Sequence, residues 1–126
     1  MKNEGTSPTI AAPWRRLCLF LVAATLALAG ALDPHFPFGL ADYDWAFHLL
    51  AFSVLTIIGA WIGWPLSVVV LIVGGASALI EVAQGLVPTR TVSTRDIFLN
   101  VAGIAIGLAI VLPMRALWRQ RRQRRE

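Results

Sequence analysis

The sequence predicts an all-α integral membrane protein, a compact bundle of four transmembrane helices with both termini in the cytoplasm. Three observations lead to this fold class. The 126 residues are 57% hydrophobic and 14% charged, with a mean hydropathy of +0.70, which lies outside the range of ordinary soluble domains. Four apolar segments are long enough to cross a bilayer. Lys and Arg residues are distributed unequally between the chain segments that flank these four apolar segments.

Each apolar segment has the length of a membrane-crossing helix. A helix rises ~1.5 Å per residue and the hydrocarbon core is ~30 Å thick, so a span needs about 20 apolar residues. Run length and the absence of alternation favour helices over strands. We predict spans at residues 17–32, 45–63, 66–87 and 96–112. The first needs Pro13 or Trp14 to complete it, and Pro113 is expected to end the fourth because proline cannot continue a regular helix.

The positive charges predict the orientation of the bundle, because Lys- and Arg-rich flanks are retained in the cytoplasm. With both termini inside, only Arg90 and Arg95 lie in outer loops. Tryptophans at the predicted inner helix ends, such as Trp61 and Trp118, agree with this orientation. The chain is therefore expected to comprise a cytoplasmic segment (1–16), one four-helix transmembrane domain (17–113) and a basic cytoplasmic tail (114–126).

The first apolar segment also fits a second interpretation. Arg15 and Arg16 precede an apolar run that ends in small residues, as in a secretory signal cleaved after Ala31. A retained first helix fits the same flanks equally well. Cleavage would leave the other three helices oriented as before, so the site described below does not depend on this choice.

The C-terminal segment RALWRQRRQRRE is a run of positive charge. Such a run taken alone can bind nucleic acid. Directly after a spanning helix, however, it is typical of a juxtamembrane anchor that attracts anionic head groups, each cation contributing about 1 kcal/mol near the surface. We therefore expect membrane lipids as partners, with anionic lipid at the tail, and not nucleic acid.

Polar side chains converge at the predicted outer ends of the second, third and fourth helices. Asp44 and His48 are four residues apart, and Glu81 and Gln84 are three apart, so each pair shares a helix face. On the fourth helix one stripe begins polar and becomes small: Asp96, Asn100, Gly103 and Gly107. These faces predict one partly buried polar site, and the glycines predict close approach of a neighbouring helix.

Several of these residues also have a purely structural explanation. Ser93 and Asp96 form an S-x-x-D pattern that is typical of a helix capping box. His48 is compatible with a core histidine bonded to Asp44. Asn100 is compatible with an interhelical hydrogen bond that contributes about 0.6 kcal/mol.

Glu81 is harder to explain by packing alone. It lies inside an apolar run, where an ionised carboxylate is costly unless it is paired, hydrated or protonated. Intramembrane acids therefore mark functional sites. We expect the partners of Glu81 among His48, Arg90 and Arg95.

The polar positions together resemble the VanZ-like family of small integral membrane proteins. The resemblance is carried by D-x-x-x-H at 44–48, E-x-x-Q at 81–84, P-x-R at 88–90 and S-x-x-D-x-x-x-N-x-x-G-x-x-x-G at 93–107. It extends over about residues 42–112, which is most of the chain. Trp45 departs from the pattern, because many relatives have a lysine there.

The resemblance implies a multi-pass protein of the bacterial cytoplasmic (inner) membrane and the cell envelope. The family is named for an accessory determinant of low-level teicoplanin resistance. This implies a link to glycopeptide resistance for the family, but it supplies no reaction, and resistance is not transferred to this chain by name.

Two function classes follow for the polar site, and the sequence leaves open whether the protein is an enzyme. In the catalytic class, His48 and Glu81 are acid and base or metal ligands, and Asp44 orients His48. Without HExxH or cysteine-rich spacing we assign no metal and name no cofactor.

In the other class the cluster binds a lipid-linked envelope ligand without chemistry, or joins the helices as a scaffold. The predicted binding residues are Gln84, Arg90, Arg95, Asp96 and Asn100.

Overall fold

The computed structural model describes residues 13–32, 43–88 and 93–125. Its helices are α1 (Pro13–Leu32), α2 (Asp44–Ile62), α3 (Leu66–Gly85) and α4 (Thr94–Gln123). All four are long and apolar enough to cross a membrane. These described ranges contain no strand. The predicted all-α fold of four membrane-spanning helices is thus confirmed, while the cytoplasmic position of the termini stays a prediction.

The turn between α2 and α3 depends on a glycine. Gly63 has a φ of 105°, in the left-handed region that L side chains rarely adopt. Its N–H donates to the Ala60 carbonyl at 3.2 Å, which satisfies one of the free acceptors at the end of α2. Pro65 then precedes the first residue of α3. The two helices are therefore joined by a short reversal of the chain.

The expectation that the fourth helix ends at Pro113 was wrong. Helix α4 continues through Pro113 to Gln123. Proline removes one N–H donor, and transmembrane helices tolerate that loss. Its ring is exposed, and the following segment MRALWRQRRQ consists largely of strong helix formers. Most of the basic segment is consequently a helical extension of α4.

Helices α2 and α4 pack with their backbones close together, as the glycine stripe predicts. A Cβ atom added at Gly103 would lie 2.6 Å from the Leu49 carbonyl oxygen. One added at Gly107 would lie 2.6 Å from the Cβ of Thr56. Ser53 Oγ also lies within hydrogen-bond distance, 3.0 Å, of the Gly103 carbonyl. Small residues on α4 thus allow the closest helix pair of the bundle.

The apolar core lies between α1, α2 and α3, with one contribution from α4. Its buried members are Phe20, Ala27, Ala31, Phe52, Leu55, Val69, Val73, Ile80 and Ile104. Many large apolar side chains on the outer faces are exposed instead. This distribution suits helices surrounded by lipid, whose hydrocarbon chains solvate apolar side chains.

Two ends of the bundle can be defined from side-chain contacts. At the site end, the C-termini of α1 and α3 meet the N-termini of α2 and α4. Gln84 Nε2 donates to the Ala31 carbonyl at 2.8 Å, and His48 Nδ1 lies 2.8 Å from Asn100 Oδ1. The four helices therefore alternate in direction along the chain.

At the opposite, basic end, two arginines cover the C-terminus of α2. Arg16 Nη1 donates to the Trp61 carbonyl at 3.0 Å. Arg115 Nη2 donates to the carbonyls of Ala60 and Trp64, each at 2.8 Å. Cations are favourable at a helix C-terminus, where the carbonyls have no intrahelical donor. These contacts hold α1 and α4 against the end of α2.

Candidate functional site

A buried hydrogen-bonded network joins α2, α3 and α4 at the site end. Its centre is Asn100, which is 0% exposed. Asn100 Oδ1 lies 2.8 Å from Nδ1 of His48, which is 1% exposed. The Asn100 amide nitrogen donates to Ser77 Oγ at 2.9 Å and to Glu81 Oε1 at 3.4 Å. One side chain of α4 thus connects polar groups of two other helices.

The network fixes the orientation of the His48 ring. A carboxylate only accepts hydrogen bonds, so the Asn100 amide nitrogen faces Glu81 and its oxygen faces His48. His48 Nδ1 must then be the donor to that oxygen. In the neutral imidazole this assignment leaves Nε2 with a free lone pair. Asn100, rather than Asp44, makes the hydrogen bond at Nδ1.

The other ring nitrogen of His48 faces acidic side chains. His48 Nε2 has no hydrogen-bond partner among the described residues. Asp44 Oδ2 lies 3.7 Å from Nε2. At this distance the two side chains form an ion pair when the histidine is protonated. Asp96 completes the group, in which one nitrogen or oxygen from each of the three residues lies within 4.8 Å of the others. The predicted convergence of α2 and α4 polar residues is therefore present.

Glu81 is 5% exposed, in the interior of the bundle. Asp96 and the ionisable ring of His48 are near neighbours of its carboxyl group. The Oε2 atom has no hydrogen-bond partner within the described part of the chain. Of the expected partners, His48 is a near neighbour, but hydrogen bonds reach Glu81 from the Asn100 side chain and from the Ser93 backbone.

The remaining predicted binding residues lie in different environments. Gln84 is buried, and its amide nitrogen donates a hydrogen bond to the backbone of α1. Arg95 is exposed on the first turn of α4, outside the buried network. Arg90 lies outside the described residues. Ser93 is the N-cap of α4 but its side chain makes no capping hydrogen bond, so its half of the predicted capping box is not formed.

Ser77 is a member of the network that we did not predict as a site residue. It is buried and accepts a hydrogen bond from Asn100. The signal available in the sequence was its spacing, four residues before Glu81 on the same face of α3. Serine is common in membrane helices, however, and spacing alone does not distinguish a site residue from a packing residue.

Comparison with known protein families shows to which family the chain belongs. A model of the family described as VanZ/LLP1 matches residues 13–118, which include α1 to α3 and most of α4. The chain belongs to the VanZ/LLP1 family. The predicted VanZ-like family is thereby confirmed. A search of curated proteins found no match, and neither did a search of solved structures. Family membership and the four long apolar helices together describe a VanZ-like, multi-pass membrane protein.

Proposed function

We propose that this VanZ/LLP1 protein binds, and acts on, the head group of a lipid-linked or cell-wall precursor at the outer leaflet of the bacterial cytoplasmic membrane. The observation that carries the proposal is the pair of buried acceptors His48 Nε2 and Glu81 Oε2, which lack hydrogen-bond partners in the described residues. Leaving a buried polar atom unpaired costs about 1–3 kcal/mol. A packing role does not require that cost, whereas a ligand with hydroxyl or amide donors would satisfy both atoms.

The site also has the chemistry for proton transfer. His48 Nδ1 is held by Asn100, which leaves Nε2 to accept a proton from a bound hydroxyl or water. Glu81 and Asp44 supply negative charge that stabilises the protonated ring. General acid or base action by His48, with Glu81 as the second group, is therefore the reaction role that we propose.

A second candidate function is a scaffold whose polar cluster joins the helices without binding a ligand. The observation that favours it is the position of Asn100, which makes hydrogen bonds both to His48 of α2 and to Ser77 of α3. Interhelical hydrogen bonds in membranes contribute about 0.6 kcal/mol on average. The scaffold explains Asn100 and Ser77 well, but it gives no reason for the unpaired atoms of His48 and Glu81.

Anionic lipid at the basic end is a further part of the proposal. A cavity of about 450 Å³ lies beside the end of α2 and the extension of α4. The charged and aromatic side chains that line it are Arg16, Trp61, Arg115, Trp118, Arg119 and Arg122. Arginine and tryptophan in this combination suit the head-group region of a membrane, where cations attract anionic lipids.

The outer-leaflet position can be tested by cysteine accessibility. In a Cys18→Ala background, a cysteine replacing Thr89, between α3 and α4, should react with a membrane-impermeant thiol reagent added to intact cells. A cysteine replacing Gln123 should react only after the membrane is opened, since positive flanks stay in the cytoplasm. The reverse pattern would move the site to the inner leaflet and contradict the proposed position.

The function itself can be tested in a strain that lacks the gene. We expect a lipid-linked or cell-wall precursor to accumulate there, measured by mass spectrometry of extracted lipids and precursors, and to return to its normal level when the wild-type gene is restored. Purified protein should then bind the accumulated species. Conversion of that species would establish catalysis, whereas an unchanged precursor profile in the deletion strain would refute the proposal.

A further inference from the structure

The geometry points to a divalent metal site formed by Asp44, His48 and Asp96. This inference rests on the proposed function and changes one role in it. An ion bound to His48 Nε2 would occupy the lone pair, so that Glu81 would be the acid or base, and the ion would supply the positive charge that a phosphate-bearing head group needs. The sequence alone assigned no metal. The ion that fits one imidazole nitrogen and two carboxylate oxygens is Zn²⁺ or Mn²⁺.

The separations of the ligand atoms suit a single ion. One ligand atom from each residue lies within 4.8 Å of the other two, and the Asp44 oxygen lies 3.7 Å from His48 Nε2. Around Zn²⁺, with bonds of about 2.0–2.2 Å, neighbouring ligand atoms lie roughly 3–4 Å apart. A small rotation of the partly buried aspartates therefore closes the group around an ion.

The burial and hydrogen bonding of His48 support the metal site independently of the two aspartates. Such support is needed because acidic side chains alone do not make a metal site. His48 is 1% exposed, and its Nε2, 3.7 Å from Asp44 Oδ2, has no hydrogen-bond partner among the described residues. Its other nitrogen donates to the Asn100 carbonyl oxygen at 2.8 Å. Histidine ligands usually donate their second nitrogen to a carbonyl or carboxylate in this way, which holds the lone pair on the metal.

The charges around the group also favour a cation. Asp44 and Asp96 both lie beside the His48 ring, and Glu81 is a near neighbour of Asp96. Several acids in a low-dielectric interior repel one another unless a positive charge lies between them. A divalent ion held by three side chains would keep open coordination positions. Those positions are suited to the phosphate oxygens of a lipid-linked head group, which the acids alone would repel.

The inference can be tested by metal binding to the purified protein in detergent, with Cys18 replaced by alanine and without a histidine tag. After treatment with a chelator, isothermal titration with Zn²⁺ and with Mn²⁺ should show saturable binding of one ion per chain for at least one of them. Asp96→Asn should weaken this binding at least about tenfold, and Asn100→Ala about 10–100-fold, because it removes the hydrogen bond that orients His48.

Matched controls separate loss of the site from loss of the fold. Glu126→Gln also removes one carboxylate, three residues after Gln123, the last residue of α4, and should bind the ion as the wild type does. Asp96→Asn changes the side chain least, and thermal unfolding without metal should show that it folds. Absence of saturable binding by the wild type, or equal binding by Asp96→Asn and wild type, would overturn the metal site. Accumulated precursor that still binds without an ion would leave the proposed function standing.

Discussion

Glu81→Gln and His48→Ala will fail to restore the deletion strain, although both proteins accumulate and fold. Glutamine keeps the size of Glu81 and an acceptor for Asn100, but it removes the charge. Alanine at position 48 removes the buried Nε2 atom. Acid or base groups in active sites contribute rate factors of about 10²–10⁴. We therefore expect precursor turnover to fall at least about a hundredfold, measured in cells and, for the folded state, by thermal unfolding in detergent.

Thr56→Val is the matched control for this prediction. Thr56 is also buried on α2, two helical turns beyond His48, and its hydroxyl donates to the Phe52 carbonyl of the same helix. Valine has nearly the same shape, so the variant should restore the strain. Full activity of Glu81→Gln and His48→Ala, or activity lost only through unfolding, would favour the scaffold function instead.

Gly103→Leu will prevent the bundle from folding. Even a Cβ atom at this position would lie 2.6 Å from the Leu49 carbonyl oxygen and 3.0 Å from the Cβ of Phe52. Backbone atoms cannot move aside like a flexible side chain, so α2 and α4 must separate. Overpacking costs about 1–3 kcal/mol where the structure can adapt, and more where it cannot. We expect a yield of monodisperse protein well below that of wild type, measured by size-exclusion chromatography in detergent.

Gly75→Leu provides the comparison for this variant. Gly75 is exposed on α3, and a Cβ atom there would have nothing within 4 Å. The same change of side chain should therefore leave the yield and the thermal unfolding temperature near those of wild type. Equal yields for Gly103→Leu and Gly75→Leu would show that the close approach of α2 and α4 does not limit folding.

The helices were predictable because their boundaries depend on local chemistry. The apolar runs have the length of a membrane span, and α1 to α3 begin and end within a few residues of the predicted positions. The end of α4 was not predictable from Pro113 alone. Whether a helix continues through proline depends on the space around its ring and on the residues that follow, and here the ring is exposed.

The members of the site were partly predictable from helical spacing, but their contacts were not. Spacing places Asp44 with His48, and Asp96 with Asn100, on single faces. Which nitrogen of His48 bonds Asn100, and whether Ser77 joins them, depends on the rotation of α4 against its neighbours. That rotation is set by how closely Gly103 and Gly107 allow the backbones to approach. Such tertiary information is not contained in a single periodic pattern.

Polar contacts near both ends of α2 restrict how α4 can move against it. Purely apolar helices in lipid have little to prevent them from sliding along one another. Lipid tails are as apolar as leucine side chains, so contact with lipid costs such a helix little compared with contact with another helix. Here Asn100 lies in hydrogen-bond contact with His48 near one end, and Arg115 donates to the carbonyls of Ala60 in α2 and of Trp64 just after it near the other. An axial shift by one turn, about 5.4 Å, would break both contacts together and place buried polar groups against hydrocarbon. The polar side chains therefore fix the axial register of α2 and α4, and any opening of the site must occur by tilting or rotation of the helices rather than by sliding.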